Sequence, residues 1–376
     1  MYTEALKTKL VLPLENAFNK VVSQKYNPFY YHGALPNLFI WALFASGLLL
    51  FAYYVPTLAK AYPSIKYITY SLDFGNAMRS IHRYAADGMM IFVILHMFRV
   101  WFTDRFREYR ILPWITGVIL LSIIFIIGLS GYMLIWDQEA VSLTYLTINL
   151  LKSVPVVGHG LANALAGGEL ITDYTLTRIL FLHLAIPALM MFFLWMHYMR
   201  ITRPVTTPPL ALNVILIGAL LLIAGIAPVE LGAAPNLAQF TPNIELDLLY
   251  AWPQWLALQG WSFNIVMLLV LAVPVGLFVL PYLQKKLWRD QYAQVAKDNC
   301  TGCSLCYHDC PYEAIQMVER TDHPRFKKLA IVDPGRCANC GLCVGACAFK
   351  AIEIPRRDTK DVLAEIQETL AGVGVG

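Results

Sequence analysis

Charged side chains are scarce in this sequence of 376 residues. Asp, Glu, Lys and Arg make up only 14% of the chain, whereas 58% of its residues are hydrophobic and the mean hydropathy is +0.54. Soluble globular domains carry roughly 25% charged residues. The shortage of charge therefore argues against a soluble enzyme and predicts a membrane protein with several spans.

Cysteine is missing from the first 299 residues, and all eight cysteines lie between positions 300 and 347. Thiols gathered in so short a stretch favour cofactor ligation in a reducing compartment over disulfide bonds. The chain also lacks a glycine-rich phosphate loop and a nucleophile–base constellation, so its chemistry is expected to belong to bound cofactors. The formal charge is only +4, and we expect no nucleic-acid partner. The first 35 residues lack a compact apolar run with a cleavage site, so no signal peptide is expected.

Long apolar runs are plentiful. Six of them approach the roughly 20 residues that a bilayer crossing needs and predict transmembrane helices. They lie at about 36–56, 77–102, 112–135, 177–201, 209–228 and 262–283. An amphipathic helix over residues 4–25 is expected on the membrane surface. The connection 136–176 is expected to hold short surface helices.

Basic residues are unevenly divided between the two sets of connecting loops. One set carries Lys7, Lys9, Lys20, Lys25, Arg105, Arg107, Arg110, Arg200, Arg203, Lys285, Lys286 and Arg289, whereas the other has Lys60, Lys66 and Lys152. Loops rich in Lys and Arg stay in the cytoplasm. The pattern predicts a multi-pass protein of the inner (cytoplasmic) membrane, in contact with lipid, with both termini and the cysteine-rich module in the cytoplasm.

Two apolar segments each carry two histidines fourteen positions apart, His82 with His96 and His183 with His197. Fourteen residues are close to four helical turns, so each pair shares one helix face, with its members about 21 Å apart. Because the two helices run in the same direction, His82 should face His183 and His96 should face His197. Iron at the centre of a porphyrin takes axial ligands from opposite sides, and neutral imidazole suits iron. The spacing predicts two haem b sites; a single such histidine could equally be a polar residue lining a helix bundle.

Four glycines repeat the same spacing. Gly33 and Gly47 are fourteen residues apart, and so are Gly117 and Gly131. Small residues at these heights would let the faces of two large rings approach the backbone, so we include them among the cofactor-binding residues. Ordinary small-residue packing between helices is the alternative.

Two arginines stand at the starts of the histidine segments, on the predicted extracytoplasmic side. Arg79 and Arg178 are candidate partners for haem propionates through charge-assisted hydrogen bonds. Arg83 and Arg99 are interpreted as anchors at the membrane interface.

Several stretches together resemble a known family, the cytochrome b of quinol-oxidising bc and bf complexes, and most closely its bf type. They are SIHRY, ILHMFRVW, WITGVIL, SGYMLIWDQ, SVPVVG, TLTRILFLH and VPVGLFVLPYL. The resemblance covers roughly residues 5–285. It implies two b haems that connect quinone sites on opposite membrane faces, with the four paired histidines as haem ligands, and it implies a dimer.

The chain departs from the bf type in three ways. The second histidine pair has thirteen intervening residues, as in bc-type proteins, and not the fourteen of the bf type. Bf-type proteins attach an extra haem through a cysteine just before the first span, where this sequence has Tyr31. The family's quinol site uses a Pro-Glu-Trp-Tyr motif, and the corresponding run ELDLLYAWPQW keeps Tyr250 but has Leu248 in place of the glutamate. Glu245 and Asp247 lie nearby and are candidate proton acceptors. The alternative is that both are solvated loop charges.

The cysteine-rich module contains two similar runs, CTGCSLCYHDCP at 300–311 and CANCGLCVGACA at 337–348. Each follows the spacing C-x2-C-x2-C-x3-C of bacterial-type ferredoxins, in which three thiolates come from one run and the fourth from the other. We assign Cys300, Cys303, Cys306 and Cys347 to one [4Fe–4S] cluster and Cys337, Cys340, Cys343 and Cys310 to a second. Zinc is the alternative for Cys-x2-Cys pairs, but two quadruplets with this rhythm favour iron–sulfur clusters.

The expected fold is an all-α membrane protein with six transmembrane helices and a di-haem four-helix core, plus a small α+β ferredoxin-like cytoplasmic domain. Its expected parts are an interfacial segment (1–35), the di-haem core (36–205), two further transmembrane helices (206–285), the two-[4Fe–4S] domain (286–360) and a tail (361–376).

The expected function is a membrane electron-transfer subunit of a quinone-linked oxidoreductase complex, respiratory or photosynthetic. It would move electrons between a quinone pool and a low-potential cytoplasmic partner such as a ferredoxin, a flavoprotein or a hydrogenase-like module. The alternative is a bf-type quinol oxidase that works with a separate Rieske protein, including by electron bifurcation. A third reading makes the ferredoxin fold a docking anchor only.

Overall fold

The computed structural model describes residues 12–102, 106, 110–168, 170–199, 205–241, 244, 246–284, 292–310, 312–334, 336–337, 341–355, 364 and 367. The helices up to residue 284 are α1 (Leu12–Tyr26), α2 (Leu35–Tyr53), α3 (Ala61–Tyr70), α4 (Gly75–Phe102), α5 (Ile111–Ile135), α6 (Gln138–Lys152), α7 (Gly158–Ala166), α8 (Asp173–Met199), α9 (Leu210–Ile226), α10 (Leu248–Leu258) and α11 (Phe263–Gln284). The first third of the amphipathic helix expected at 4–25 lies outside the described residues.

Five helices, namely α2, α4, α5, α8 and α11, are long and apolar enough to cross a membrane. They coincide with five of the six predicted spans. Helix α9 is equally apolar but has 17 residues, fewer than the usual crossing of about 20. The sixth span therefore stays a prediction.

The spanning helices form a bundle in which α2 packs on α4 and α5 packs on α8. One apolar cluster fills its centre, with Phe39 from α2, Met89 from α4, Ile123 from α5 and Met190 from α8 among its buried members. Gly88 allows α4 to approach α2 closely, because a Cβ there would lie 2.7 Å from the Phe39 ring. The two histidine-bearing helices, α4 and α8, thus belong to one packed unit.

The chain turns sharply after α5. Trp136 is fully buried in a left-handed conformation with φ 55°, and the Asp137 carboxylate caps α6 by accepting a hydrogen bond from the Ala140 amide at 2.9 Å. The same carboxylate also accepts from the amide of Gly232. These bonds hold α6 against the protein, and the prediction that it lies on the surface is wrong: most of its residues are buried.

The cysteine-rich part adds two short helices, α12 (Leu305–Asp309) and α13 (Leu342–Ala346), and four strands. Strand β1 (Gln294–Val295) pairs antiparallel with β4 (Ile352–Glu353), and β2 (Ile315–Glu319) pairs antiparallel with β3 (Lys328–Val332). Each cysteine run therefore contains one short helix and is followed by one strand. Cysteines and small apolar residues share the core of this part.

Candidate cofactor sites

The four membrane histidines meet in two pairs. The ring centres of His82 and His183 are 6.3 Å apart, and those of His96 and His197 are 6.5 Å apart. Helices α4 and α8 therefore hold two opposed imidazole pairs, separated by about 21 Å along the helix axes.

Hydroxyl groups and backbone carbonyls contact the Nδ1 atoms of three of these rings. The Ser46, Ser130 and Thr116 hydroxyls each lie 3.0 Å from Nδ1 of His82, His183 and His197 respectively. The Ile127 carbonyl oxygen also lies 3.0 Å from Nδ1 of His183. An Nδ1–H that donates to a carbonyl fixes the tautomer and leaves Nε2 as the lone-pair nitrogen, which is the state that a metal-binding histidine needs.

Each of the four glycines faces one of the four histidines. A Cβ on Gly33, Gly47, Gly117 or Gly131 would lie 3.0, 3.2, 3.4 or 2.9 Å from Cε1 of His96, His82, His197 or His183, in that order. Contacts below about 3.4 Å are tighter than most real Cβ contacts. The absence of a side chain at these positions therefore leaves the room that the imidazoles occupy.

The distances between paired rings fit a metal ion between them. Two metal–imidazole bonds of about 2 Å place the centres of two opposed rings roughly 6 Å apart. The observed separations of 6.3 and 6.5 Å match this spacing. The donor set, two neutral imidazoles on opposite sides, is the one that a haem iron takes.

The two arginines proposed for propionates bind neighbouring groups of the protein. The buried guanidinium of Arg79 donates to the Thr69 hydroxyl at 2.8 Å and to the Glu230 carbonyl. The exposed Arg178 donates to the Ala164 carbonyl at 2.6 Å. Arg79 thus links α3 and the segment at Glu230 to the start of α4, and Arg178 links α7 to the start of α8.

A charged cluster that we had not predicted is centred on Arg83, the residue after His82. Arg83 is ion-paired with Asp87, one turn along α4, and with Asp247 at the start of α10. The same guanidinium donates to the Tyr132 hydroxyl of α5 at 2.8 Å and lies 4.7 Å from its ring centre. Arg83 therefore joins three helices, and it is not an exposed anchor at the membrane interface.

The candidate quinol-site residues lie beside this cluster. Tyr250 is fully buried, and its hydroxyl donates to the Ala86 carbonyl of α4 at 2.6 Å. Burial, together with the nearby charge of Asp87, raises the pKa of Tyr250 above its ordinary value, so the hydroxyl keeps its proton. Asp247 is ion-paired and is not a solvated loop charge. Glu245 lies outside the described residues.

The four cysteines assigned to the first cluster lie close enough to interact electrostatically. Burial and the neighbouring thiolates of Cys300, Cys347 and Cys303 raise the pKa of Cys306 to about 11. Sulfurs that hinder one another's ionisation in this way are stabilised as thiolates when they bind metal, which displaces their protons.

Backbone amides support the fourth cysteine of each run. The Ala314 amide donates to Sγ of Cys310 and the Ala351 amide to Sγ of Cys347, both at 3.3 Å. Amide–sulfur bonds of this kind tune iron–sulfur clusters. Among the described residues, no three His, Cys, Asp or Glu side chains converge on one point as a single zinc ion requires.

Sequence reasoning missed the hydroxyl partners and the charged cluster. The sequence did contain a signal for the hydroxyl partners, because a polar residue precedes each of the four glycines. These residues are His32, Ser46, Thr116 and Ser130. For the charged cluster around Arg83, the sequence signal was Asp87, a carboxylate inside an apolar segment.

Two family models match the chain. The model described as cytochrome b/b6/petB matches residues 17–204, and the model described as a 4Fe-4S dicluster domain matches residues 299–351. Cytochrome b6 of Synechococcus sp. (strain JA-3-3Ab) is 37% identical over 198 residues, which are 52% of this chain and 92% of that protein. Cytochrome b6 of Prochlorococcus marinus (strain MIT 9303) is 35% identical over 197 residues, with 52% and 90% covered.

The fold resembles that of a solved chain titled hyperthermophilic respiratory Complex III. The TM-score is 0.58 at 20% sequence identity, and the match covers 74% of this chain and 82% of that one. At this identity the match speaks for the fold alone.

Proposed function

Because this chain belongs to the cytochrome b/b6 family and also carries a 4Fe-4S dicluster domain, we propose that it moves electrons between a quinone pool and a low-potential cytoplasmic partner. It does so as the membrane electron-transfer subunit of a quinone-linked redox complex, through two b haems and two [4Fe–4S] clusters. The partner is a ferredoxin, a flavoprotein or a hydrogenase-like module.

The observation that carries the proposal is the presence of both cofactor frameworks in one chain. Two opposed histidine pairs span the bundle, and a dicluster domain follows directly after α11. A quinol-oxidising cytochrome b needs no cluster of its own to pass electrons across the membrane. The added domain supports an exchange with a soluble redox partner.

In this proposal the haem ligands are His82 with His183 and His96 with His197. The haem irons supply reversible one-electron storage, and the protein sets their position and potential. Ser46, Ser130 and Thr116 orient the rings through Nδ1. Gly33, Gly47, Gly117 and Gly131 leave space beside Cε1 of each ring.

The dicluster domain is proposed to bind its clusters as the sequence assigns them, Cys300, Cys303 and Cys306 with Cys347, and Cys337, Cys340 and Cys343 with Cys310. The electrostatic proximity of Cys306 to the other three members supports the first set. Cys340 lies outside the described residues, so the second set depends on the sequence pattern and on the amide bond to Cys310.

Proton exchange with quinol is proposed for the charged cluster near His82. Leu248 replaces the family's glutamate, but Asp247 and Asp87 both contact Arg83 within the bundle. A carboxylate within reach of a quinol hydroxyl can accept its proton, and Tyr250 closes the cluster on one side. Asp87, unlike Asp247, does not cap a helix, which leaves it the freer of the two to exchange a proton.

Topology follows the distribution of basic residues. We propose an inner-membrane protein with both termini and the dicluster domain in the cytoplasm. The His96–His197 site is then the one nearer the clusters, and the His82–His183 site lies towards the opposite face.

Redox titration of the purified protein, followed by visible and electron paramagnetic resonance (EPR) spectroscopy, tests this function. We expect two b-type haems, two cluster signals and electron transfer from reduced clusters to haem after rapid mixing. Reconstituted protein that holds all four cofactors but transfers no electrons between clusters and haem would contradict the proposal.

A second function, quinol oxidation with a separate Rieske protein, is favoured by one observation: Tyr250 and Asp247 lie together against the helix that carries His82. Co-purification of a Rieske subunit, with quinol oxidation that Tyr250→Phe or Asp87→Asn abolishes, would support it. Unchanged oxidation in both variants would exclude the cluster from that reaction.

A further inference from the structure

One arginine joins the membrane bundle to the dicluster domain. Arg110, immediately before α5, donates through a terminal nitrogen to the Arg336 carbonyl at 2.9 Å. Its guanidinium carbon also lies 5.0 Å from the ring centre of Tyr312, within the range of a cation–π interaction. A single side chain from the bundle thus makes two different contacts with the other domain.

Both contacts lie next to ligands that belong to the same predicted cluster. Arg336 precedes Cys337, and Tyr312 lies two residues after Cys310. These two chain segments are also tied to each other, because the Asp333 amide donates to the Ala314 carbonyl at 2.7 Å. Arg110 therefore contacts the two segments that carry Cys310 and Cys337.

On the membrane side, Arg110 belongs to a fixed part of the bundle. Phe106 is fully buried and packs on Trp114 with ring centres 4.9 Å apart. The Trp114 indole in turn donates to the Leu277 carbonyl of α11 at 2.7 Å. The start of α5 is therefore anchored to another helix and cannot follow the dicluster domain if that domain moves.

The same end of α5 reaches the His96–His197 site. The Thr116 hydroxyl lies 3.0 Å from Nδ1 of His197 and donates to the Pro113 carbonyl at 3.0 Å. Thr116 is six residues from Arg110, a rise of about 9 Å along the helix. Fewer than two helical turns thus separate the dicluster contact from a partner of a haem-ligand candidate.

We infer that the cluster held by Cys310, Cys337, Cys340 and Cys343 is the proximal cluster, which exchanges electrons with the His96–His197 haem, and that Arg110 is the positioning residue that holds it there. The cluster of Cys300, Cys303, Cys306 and Cys347 is then distal and faces the soluble partner. This inference rests on the proposed function, because it orders the cofactors of the same electron path.

The step between the two centres is a one-electron transfer. In one direction the reduced proximal cluster loses one electron and the ferric haem iron becomes ferrous; in the other direction both changes are reversed. No bond is formed or broken. The protein contributes only the distance and the charge around the two centres.

The charge of Arg110 gives a test that does not depend on turnover. A cation near a cluster stabilises its reduced, more negative form, so Arg110→Gln should lower the midpoint potential of one cluster in redox-poised EPR and leave the other unchanged. Arg110→Lys keeps the charge and should keep the potential. Arg325→Gln is the matched control, because Arg325 stacks on Phe326 within the dicluster domain, 5.7 Å from its ring centre.

Cysteine variants identify the affected cluster. The EPR signal that shifts in Arg110→Gln should be the one lost in Cys337→Ser and retained in Cys303→Ser. Cluster-to-haem transfer should slow by about tenfold or more in Arg110→Gln, since electron transfer depends on the positioning of its centres. Cys303→Ser, reduced chemically, should still transfer electrons from its remaining cluster to haem.

Two results would overturn the inference even if electron transfer occurs. One is that Arg110→Gln leaves both potentials unchanged, and the other is that it shifts the signal lost in Cys303→Ser. If the unaltered protein shows no cluster-to-haem transfer, the proposed function fails instead. The potential shift would still report whether Arg110 lies beside the Cys337 cluster.

Discussion

At the scale of single residues, each candidate haem site depends on glycines, which carry no side chain, as well as on its histidines. Every histidine of the two pairs has a glycine against its Cε1 edge. A hydroxyl lies at the Nδ1 edge of His82, His183 and His197. At these three rings the hydroxyl and the glycine therefore lie at neighbouring atoms, Nδ1 and Cε1, and Nε2 is left for a metal ion.

Replacing each of these glycines by alanine should reduce haem retention. The loss should be larger where the added Cβ would lie closer to the histidine ring. Gly131→Ala, whose Cβ would lie 2.9 Å from His183, should have the largest effect, and Gly117→Ala, at 3.4 Å, the smallest. Haem content and the visible spectra of the purified variants would measure this order. Gly218→Ala is the control: nothing lies within 4 Å of its added methyl group, and alanine favours a helix by about 1 kcal/mol over glycine. Equal haem content in all five proteins would contradict the prediction.

His32 gives the protein a predictable dependence on pH. It is buried beside Phe29 and Phe92, and its Nδ1 has no hydrogen-bond partner among the described residues. Burial, reinforced by the charge of Arg99, lowers the pKa of His32 to about 4. The unfolded chain takes up the proton near pH 6.5, whereas the folded protein does so only near pH 4, so stability should fall as the pH drops through this window.

The loss should reach up to about 3 kcal/mol by pH 4. His32→Leu should flatten the decline, as measured by melting temperature in detergent at a series of pH values. The exposed His159, changed to leucine, serves as control and should keep the wild-type slope. A steep decline that persists in His32→Leu would assign the pH dependence to other groups.

At the scale of elements, α10 is held against the bundle by its first residues. Asp247 caps the helix by accepting from the Leu249 amide at 2.6 Å and also pairs with Arg83 of α4. Tyr250, one turn on, reaches the Ala86 carbonyl of the same helix. The short helix thus covers the charged cluster and brings two distant parts of the chain together.

Variants of Asp247 can separate these two roles. Asp247→Asn keeps a good capping group but loses the ion pair, and we expect a loss of about 2 kcal/mol in the free energy of unfolding. Asp247→Ala loses the cap as well and should cost about 1 kcal/mol more. Melting in detergent would measure both, with the exposed Asp73→Asn as control. Equal stability of Asp247→Asn and Asp247→Ala would mean that the cap contributes nothing.

At the scale of the whole molecule, the chain combines two units, a membrane bundle and a dicluster domain. The resemblance to cytochrome b and to a two-cluster ferredoxin is confirmed by both family matches. The five helices long enough to span a membrane and the strands of the cysteine-rich part agree with this division. Arg110 links the two units.

The two units should lose their cofactors independently. Cys306→Ser and Cys343→Ser should each halve the non-haem iron, because each removes one ligand from a different cluster. The haem content should stay unchanged in both, since the histidines lie on separate helices. Iron analysis beside the haem spectrum would measure this, and His308→Gln, at an exposed position of the same module, is the control. Loss of haem in Cys306→Ser would contradict independent units.

The sequence by itself determined the features that depend on local spacing. A helix repeats every 3.6 residues, so a separation of fourteen residues places His82 above His96 and Gly117 above Gly131 without any knowledge of the fold. The cysteine spacing works in the same way, because short loops around a cluster fix where thiolates must lie.

Only the tertiary structure decided the contacts between distant segments. Arg83 meets Asp247 across 164 positions, and Arg110 meets Arg336 across 226. A charged side chain in a sequence has many partners within reach, and the packing of the helices selects one of them. The same reason explains why α6 is buried: the segment 232–241 bonds to Asp137 at the start of the helix and to Ser142 and Tyr145 along it.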